Sequence, residues 1–182
     1  MRSKRSKAKE LFVRATETWD RGELRSAFRL MLAAAKGGDT GAQVNLGYFY
    51  DLGIGVHRNR APALYWYRRA YRRGEMEGAS NIGTIYRDEE NLKHALAWFR
   101  RAAAMGDGDA NLEIAKIYLT LNNTQKALNH LKKVIKARYV TPASREEARL
   151  LFKEQMGESG MNAEVLRIGA SRKRDAPKLR MT

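Results

Sequence analysis

The side chains of this sequence best suited to proton transfer or metal binding near neutral pH are three histidines, His57, His94 and His130. Each stands alone. None has a second histidine or a paired carboxylate at metal-ligand spacing. The chain shows no Ser/His/Asp arrangement, no glycine-rich phosphate cradle and no nucleophile elbow. There is no cysteine, which excludes disulfides, thiolate metal sites and a cysteine nucleophile. The sequence therefore names no catalytic residue, no metal ligand and no cofactor. A second chemical pattern is cationic: Arg68-Arg69, Arg100-Arg101 and Lys132-Lys133 recur at a fixed step, and Arg72 and Arg73 extend the first doublet. Such a stripe is either a solvated helix face or a surface for phosphates, and a nucleic-acid surface would also want exposed aromatics for stacking. The aromatics here fall at positions that read as core, so the solvated face is the leading reading.

The elements that carry these residues are repeats. Ala63-Leu64-Tyr65-Trp66-Tyr67-Arg68-Arg69-Ala70 returns thirty-two residues on as Ala95-Leu96-Ala97-Trp98-Phe99-Arg100-Arg101-Ala102. The same step reaches Ala127-Leu128-Asn129-His130-Leu131-Lys132-Lys133-Val134, and Ala27 to Ala34 is a weaker copy thirty-six residues upstream. His130 thus takes the place of Trp66 and Trp98, which predicts a packed core role. A second pattern precedes each of these: Ala42…Leu46-Gly47…Tyr50, Gly78…Ile82-Gly83…Tyr86 and Ala110…Ile114-Ala115…Tyr118. Small residue, aliphatic and tyrosine at i, i+4 and i+8 occupy one helix face. A period of this size means stacked supersecondary units that bury their apolar faces on one another. The prediction is an all-α fold of four antiparallel helix pairs, about 8–39, 40–75, 76–107 and 108–138. Gly47, Gly83 and Ala115 mark the close approach of paired helices, and Trp66 and Trp98 should lie between successive pairs.

Punctuation agrees. Asp39, Asp107 and Asp109 read as helix N-caps, and Gly37, Gly74 and Gly106 as left-handed C-terminal stops. Gly53 and Gly55 permit a longer turn after the first helix of the second pair, and Pro62 suits the first turn of the next helix. In the third pair that turn shortens to Arg87–Asn91, which takes the period from thirty-six to thirty-two. Thr141-Pro142 starts a capping helix at 142–156, whose Ala148, Leu151 and Phe152 should cover the end of the stack. Residues 1–7 read as a basic arm and 157–182 as a basic, flexible extension, broken at 157–160, with a short helix at 163–168.

The run Ala42…Leu46-Gly47…Tyr50…Gly53-Ile54-Gly55-Val56…Ala63…Trp66-Tyr67…Ala70…Gly74 resembles the Sel-one-like repeat, a relative of the tetratricopeptide repeat. Residues 40–75 carry the resemblance almost throughout, 76–107 without the glycine turn, and 8–39 and 108–138 in degenerate form. The resemblance implies an α-solenoid, a right-handed superhelix of helix pairs acting as a binding scaffold. In tetratricopeptide relatives the first helices line a groove, where an asparagine beside the Leu-Gly pair bonds a bound peptide. Asn45 and Asn81 match that place, Glu113 replaces the third, and Tyr48, Thr84 and Lys116 follow one turn on.

Charge narrows the partner. The net charge is +15, with +6 in residues 1–36, +3 in 37–75, −1 in 76–107, +4 in 108–138 and +3 in 139–182. An excess of this size favours an acidic partner and speeds encounter more than it deepens affinity. No stretch approaches a membrane span. The basic start looks like that of a signal peptide, but Glu10, Arg14 and Glu17 interrupt the apolar region that should follow, so the protein is read as cytoplasmic. The expected function is a non-enzymatic protein–protein interaction module binding an acidic protein or peptide in its groove. An immunity protein neutralising a cognate toxin is a close variant, and a nucleic-acid-associated protein is the rival from another class.

Overall fold

A computed structural model describes residues 4–138 and 140–157. Eight helices follow one another: α1 (Lys4–Asp20), α2 (Leu24–Lys36), α3 (Thr40–Leu52), α4 (Arg60–Tyr71), α5 (Met76–Asp88), α6 (Leu92–Ala104), α7 (Ala110–Thr120) and α8 (Thr124–Lys136). A ninth, α9, spans 142–157, and no strand occurs among the described residues. The helices form two compact units, one up to Asp107 and one from Gly108. The first holds the pairs α1–α2, α3–α4 and α5–α6, and the second holds α7–α8 with α9. Lys4 to Lys7, read from sequence as part of an arm, form the first turns of α1. The short helix at 163–168 and the tail to Thr182 lie outside the described residues, as does the break after Gly157.

Three of the pairs, α3–α4, α5–α6 and α7–α8, close on a small residue of the first helix. A Cβ built on Gly47 would stand 2.6 Å from the ring of Tyr67, and one on Gly83 would stand 2.8 Å from the ring of Phe99. The aromatic ring of the second helix therefore lies on the bare backbone of the first. In the second unit the ring position is Leu131 and the glycine position is Ala115, both fully buried in one cluster. As the partner shrinks from ring to isobutyl, the small residue gains its methyl, and packing density is preserved. Fully buried alanines at 27, 34, 35, 42, 63, 70, 79, 95 and 102 keep the remaining helix contacts equally close.

Between pairs the contacts are larger. Met31, Leu46, Phe49 and Trp66 share one core with Ala27 and Ala34, and Trp19 meets Phe49 edge-on at 5.0 Å. Tyr67, Ile82 and Ile85 form the next, with Trp98 packed at its margin. Trp66 is buried at 7% exposure, whereas Trp98 is only half-buried and leans edge-on against Tyr71 at 5.4 Å. The sequence reading has both indoles largely buried between successive pairs; Trp66 is buried and Trp98 half-buried. Trp66 sits in the core shared by the first two pairs, and Trp98 packs at the margin of the next.

The caps separate more finely than sequence allowed. Asp39 caps α3 by accepting from the Ala42 N–H at 2.7 Å, and Asn59, Asn91 and Asn123 cap α4, α6 and α8 in the same way. Asp107 instead accepts from the Ser80 hydroxyl. Asp109 precedes α7 without capping it, and its carboxylate accepts from the Thr141 N–H at 3.0 Å. Thr141 in turn caps α9 through the Ser144 N–H. Gly37 is not left-handed. Gly38 takes that conformation at φ +97°, while Gly37 is glycine for space, a Cβ there meeting that of Ala8 at 2.8 Å. Gly74 and Gly106 do adopt positive φ. Ala148 and Phe152 of α9 are fully buried against Leu112, Leu128 and Leu131, with Leu151 beside them.

Gly47→Ala and Gly83→Ala are expected to lower stability by about 1–3 kcal/mol, because the methyl must displace a packed ring. Gly41→Ala, whose Cβ would make an ordinary 3.4 Å contact with Phe12, should be neutral or slightly stabilising through helix propensity. Urea midpoints of the three variants that fall together would contradict this placement of the glycines.

Candidate functional site

In the first unit α3 touches α5 directly as well as its own partner helix, so two first helices lie side by side. Their core faces are taken by Leu46, Gly47 and Phe49 and by Ile82, Gly83 and Ile85. That leaves Asn45 and Asn81 half-exposed at equivalent positions, with Tyr48 exposed and Thr84 half-exposed one turn onward. Asn45 donates from Nδ2 to the Gly41 carbonyl at 3.2 Å, and Thr84 donates to the Ser80 carbonyl at 3.2 Å. Both are bonds within one helix. An amide so placed still has a second N–H and a carbonyl oxygen, the pair an extended backbone requires. Tyr48 is steadied from α1 by Trp19, ring centroids 6.1 Å apart.

The matching residues of the second unit are engaged differently. Lys116 Nζ lies 3.2 Å from Glu113 and 2.7 Å from Glu147 of α9. Desolvation lowers the ammonium pKa, but the bonds and attraction of Glu147 and Glu113 outweigh it and leave it raised. Glu113 and Lys116, expected in a partner groove, thus form an ion cluster that ties α7 to α9.

Sequence reasoning missed an acidic end to the α3–α5 face. Asp51, near the C-terminus of α3, feels both Asp88 and Glu89 at the end of α5. Burial is the main reason its carboxyl pKa is raised, with Arg58 and Arg60 pulling the other way. Asp51 and Tyr48 add to the burial that holds the Tyr67 phenol far above its ordinary value. Arg60 pairs with Glu89 at 3.0 Å and Arg87 with Asp88 at 3.0 Å. The −1 charge of residues 76–107 was the available signal, but only the fold brings α3 and α5 together.

Nor are the cation doublets one solvated stripe. Arg68 reaches the Tyr86 hydroxyl at 3.4 Å, and Arg69 lies 5.6 Å from the Trp66 ring centroid while donating to Tyr65. Arg101 covers the Trp98 ring at 4.6 Å, Arg73 donates to the Gly38 carbonyl, and Lys132 sits over Phe152. Arg72, Arg100 and Lys133 are exposed. Three of the eight stripe residues, Arg69, Arg101 and Lys132, thus lie over aromatic rings, an arrangement worth about 0.5–1 kcal/mol at exposed sites. His130 is half-buried rather than core. Its Nδ1 lies 3.0 Å from Asn111 Oδ1, and its ring stacks on Tyr118 at 5.8 Å. His94 stacks on Tyr86 at 5.1 Å. Among the described residues no group of three or more His, Asp or Glu side chains could hold a metal ion, and no helix is long and apolar enough to cross a membrane.

Helix pairs closed by a glycine or alanine under a large side chain, stacked on one another, define an α-solenoid of the tetratricopeptide-like class. More narrowly, the chain carries Sel1 repeats, whose family model matches residues 23–39, 40–75 and 81–107. Among solved structures it is similar to a Sel1 repeat protein from Oxalobacter formigenes, at 25% identity and a TM-score of 0.65 over 85% of this chain and 66% of that one. It is also similar to c5321, a protective antigen of uropathogenic Escherichia coli with an SLR fold, at 26% identity and a TM-score of 0.59 over 75% of this chain and 30% of that one. A tetratricopeptide repeat protein from Parabacteroides merdae shares the fold at 17% identity, with a TM-score of 0.61 over 93% and 68%. The chain thus spans less than two thirds of the length of the first two. No curated protein matches it in sequence.

Arg101→Gln is expected to cost about 0.5–1 kcal/mol by uncovering the Trp98 ring. Arg72→Gln, a fully solvated change of the same charge, should stay within about 0.5 kcal/mol of the parent. Equal thermal midpoints for the two variants would show that the guanidinium over the indole contributes nothing.

Proposed function

We propose that this protein is a non-enzymatic protein–protein interaction module that takes an extended segment of an acidic protein partner along the α3–α5 face. Sel1 and tetratricopeptide-like repeats generally serve protein interaction, so the partner class follows from the fold. The observation that carries the choice of face is the pairing of Asn45 and Asn81. They are equivalent amides on adjacent helices, half-exposed, each with a hydroxyl-bearing side chain one turn further on. Spaced amides of this kind can donate to and accept from successive peptide groups of an extended chain. Tyr48 offers apolar area held in place by Trp19, at little entropic cost.

The acidity of the partner rests on the net charge of +15. Charge acts here mainly at a distance, drawing the partner in, because Asp51, Asp88 and Glu89 stand at one end of the same face. The bound segment would therefore lie with its acidic part away from the C-terminal ends of α3 and α5.

Asn45→Ala with Asn81→Ala should weaken partner binding by about 1–3 kcal/mol, since each truncation strands a polar group of the partner. The fold should be unaffected, because the Asn45 amide bonds a carbonyl of its own helix, that of Gly41. The partner is first obtained by affinity purification at moderate salt, and affinities are measured by calorimetry. Reversal of exposed cations away from the face, Arg72→Glu with Lys133→Glu, should slow association in a salt-dependent way and leave dissociation nearly unchanged. Full affinity in the asparagine double variant would remove the site from this face. Tight binding of a generic duplex that falls steeply with salt would favour a nucleic-acid partner instead.

A further inference from the structure

The outward stripe of α3 departs from the repeat. Asn45, Tyr48 and Leu52 fall on one side of the helix, away from its core residues Leu46, Gly47 and Phe49. The same register reads Asn81, Thr84 and Asp88 in α5, and Glu113, Lys116 and Thr120 in α7. Those two helices are polar along the stripe, as a solvated face should be. α3 instead sets two large apolar side chains one turn apart, Tyr48 at 37% exposure and Leu52 at 51%. The core does not require them, because Leu46, Phe49 and Trp66 already fill it, with Trp19 packed at its margin. Trp19 meets Phe49 and Tyr48 at centroid distances of 5.0 and 6.1 Å, so the Tyr48 ring is braced while still open to water. Single apolar side chains on a surface are ordinary. An adjacent pair on a braced ring, continuous with the Asn45 amide and absent from the equivalent helices, is not.

We infer that Tyr48 and Leu52 form the seat for one aliphatic or aromatic side chain of the partner, so that the segment recognised is acidic with an apolar anchor rather than acidic throughout. The inference rests on the α3–α5 face being the binding face and names what that face selects. Charge complementarity chooses the occupant. A second copy of this chain would bring a net charge of +15 against the same charge, whereas an acidic segment is attracted. Attraction of this kind speeds encounter but discriminates poorly between acidic chains, and a buried apolar anchor supplies the hold that charge does not. The geometry of an extended chain fits both roles. Its backbone can bond the Asn45 amide while a neighbouring side chain turns down onto Tyr48 and Leu52, since successive side chains point to opposite faces. Neighbouring helix axes stand about 8–10 Å apart and an extended chain advances about 3.3 Å per residue. A residue about three positions from the anchor therefore lies over Thr84 and Asp88 of α5, where the stripe is polar and so is its expected occupant.

The test selects a displayed library of random peptides on the full chain and titrates the most enriched peptide by calorimetry. Enriched peptides are expected to share an apolar residue at a fixed distance from an acidic stretch. Tyr48→Thr with Leu52→Asn makes the stripe polar without adding charge, and should weaken the peptide by at least about tenfold. Replacing the peptide's own apolar residue by serine should cost as much on the parent and little more on the variant, because both changes remove one contact. Leu121→Ser with Leu150→Ser removes exposed apolar side chains elsewhere and should leave the affinity within about twofold. Should the first variant lose helical content by circular dichroism, Leu52→Ser alone decides, its side chain being half open to water. A peptide weakened by Asn45→Ala with Asn81→Ala but not by the Tyr48 and Leu52 changes would overturn the anchor and keep the face. The reverse pattern would keep the anchor and discard the paired amides. No enriched peptide, or one indifferent to all these variants, removes face and anchor together. A dimer in sedimentation equilibrium that Leu52→Ser dissolves would assign the apolar pair to a second copy and overturn the inference.

Discussion

The close approach of paired helices governs this fold. Tyr67 lies on Gly47 and Phe99 on Gly83, each ring against backbone that has no room for a methyl group. Buried at this distance, each ring contributes about 1.5–3 kcal/mol of transfer free energy, and it also sets how far apart the two helices stand. Everything further out is fixed by that spacing. Ile82 and Ile85 reach Tyr67 from the next pair only because Tyr67 is pressed inward. Asn45 and Asn81 come to lie on neighbouring helices for the same reason. The second unit reaches the same end with a different couple, Ala115 and Leu131, which shows that combined volume, rather than either residue type, is what must be kept.

Periodic features were legible in the sequence because a helix converts spacing directly into direction. The small residue, the aliphatic and the tyrosine at i, i+4 and i+8 announced one face, and the structure buries Leu46, Gly47, Ile82 and Gly83 on it. The capping role of Thr141 was equally local. Contacts spanning eighteen to thirty-two residues were not legible. Ser80 with Asp107, Asp109 with Thr141 and Arg68 with Tyr86 join side chains whose separation depends on how pairs stack, which no local pattern encodes. Asp107 and Asp109 show the difficulty well. Both have the right chemistry for a cap within three residues of a helix start, and both are drawn off by hydroxyl or amide donors from elsewhere in their own units.

The candidate face was half legible. Equivalence of Asn45 and Asn81 follows from the repeat, but the diversion of Glu113 and Lys116 into an ion cluster follows from the position of α9, which the repeat does not describe. The rings under the cationic doublets were hidden for a related reason. Sequence registers a charge and not what lies beneath it, and here Trp66, Trp98 and Phe152 lie beneath. Side chains with long apolar stems and charged tips serve as covers for rings as readily as they serve as solvated charges.

The glycine turn of the second pair has a mechanical consequence. Gly55 lies so near the Leu24 carbonyl that a Cβ there would sit 2.1 Å from it, so this turn is seated on the backbone of the first pair. The shortened turn of the third pair meets the second through the Arg60–Glu89 ion pair, which is about one third exposed on both sides. Gly78 of α5 is seated in the same way, a Cβ there standing 2.5 Å from the Tyr67 carbonyl oxygen, so both seams are interlocked main chain and the second adds charges that dissolved salt screens. In brine only that ion pair would loosen, and the three pairs of the first unit would stay a single block.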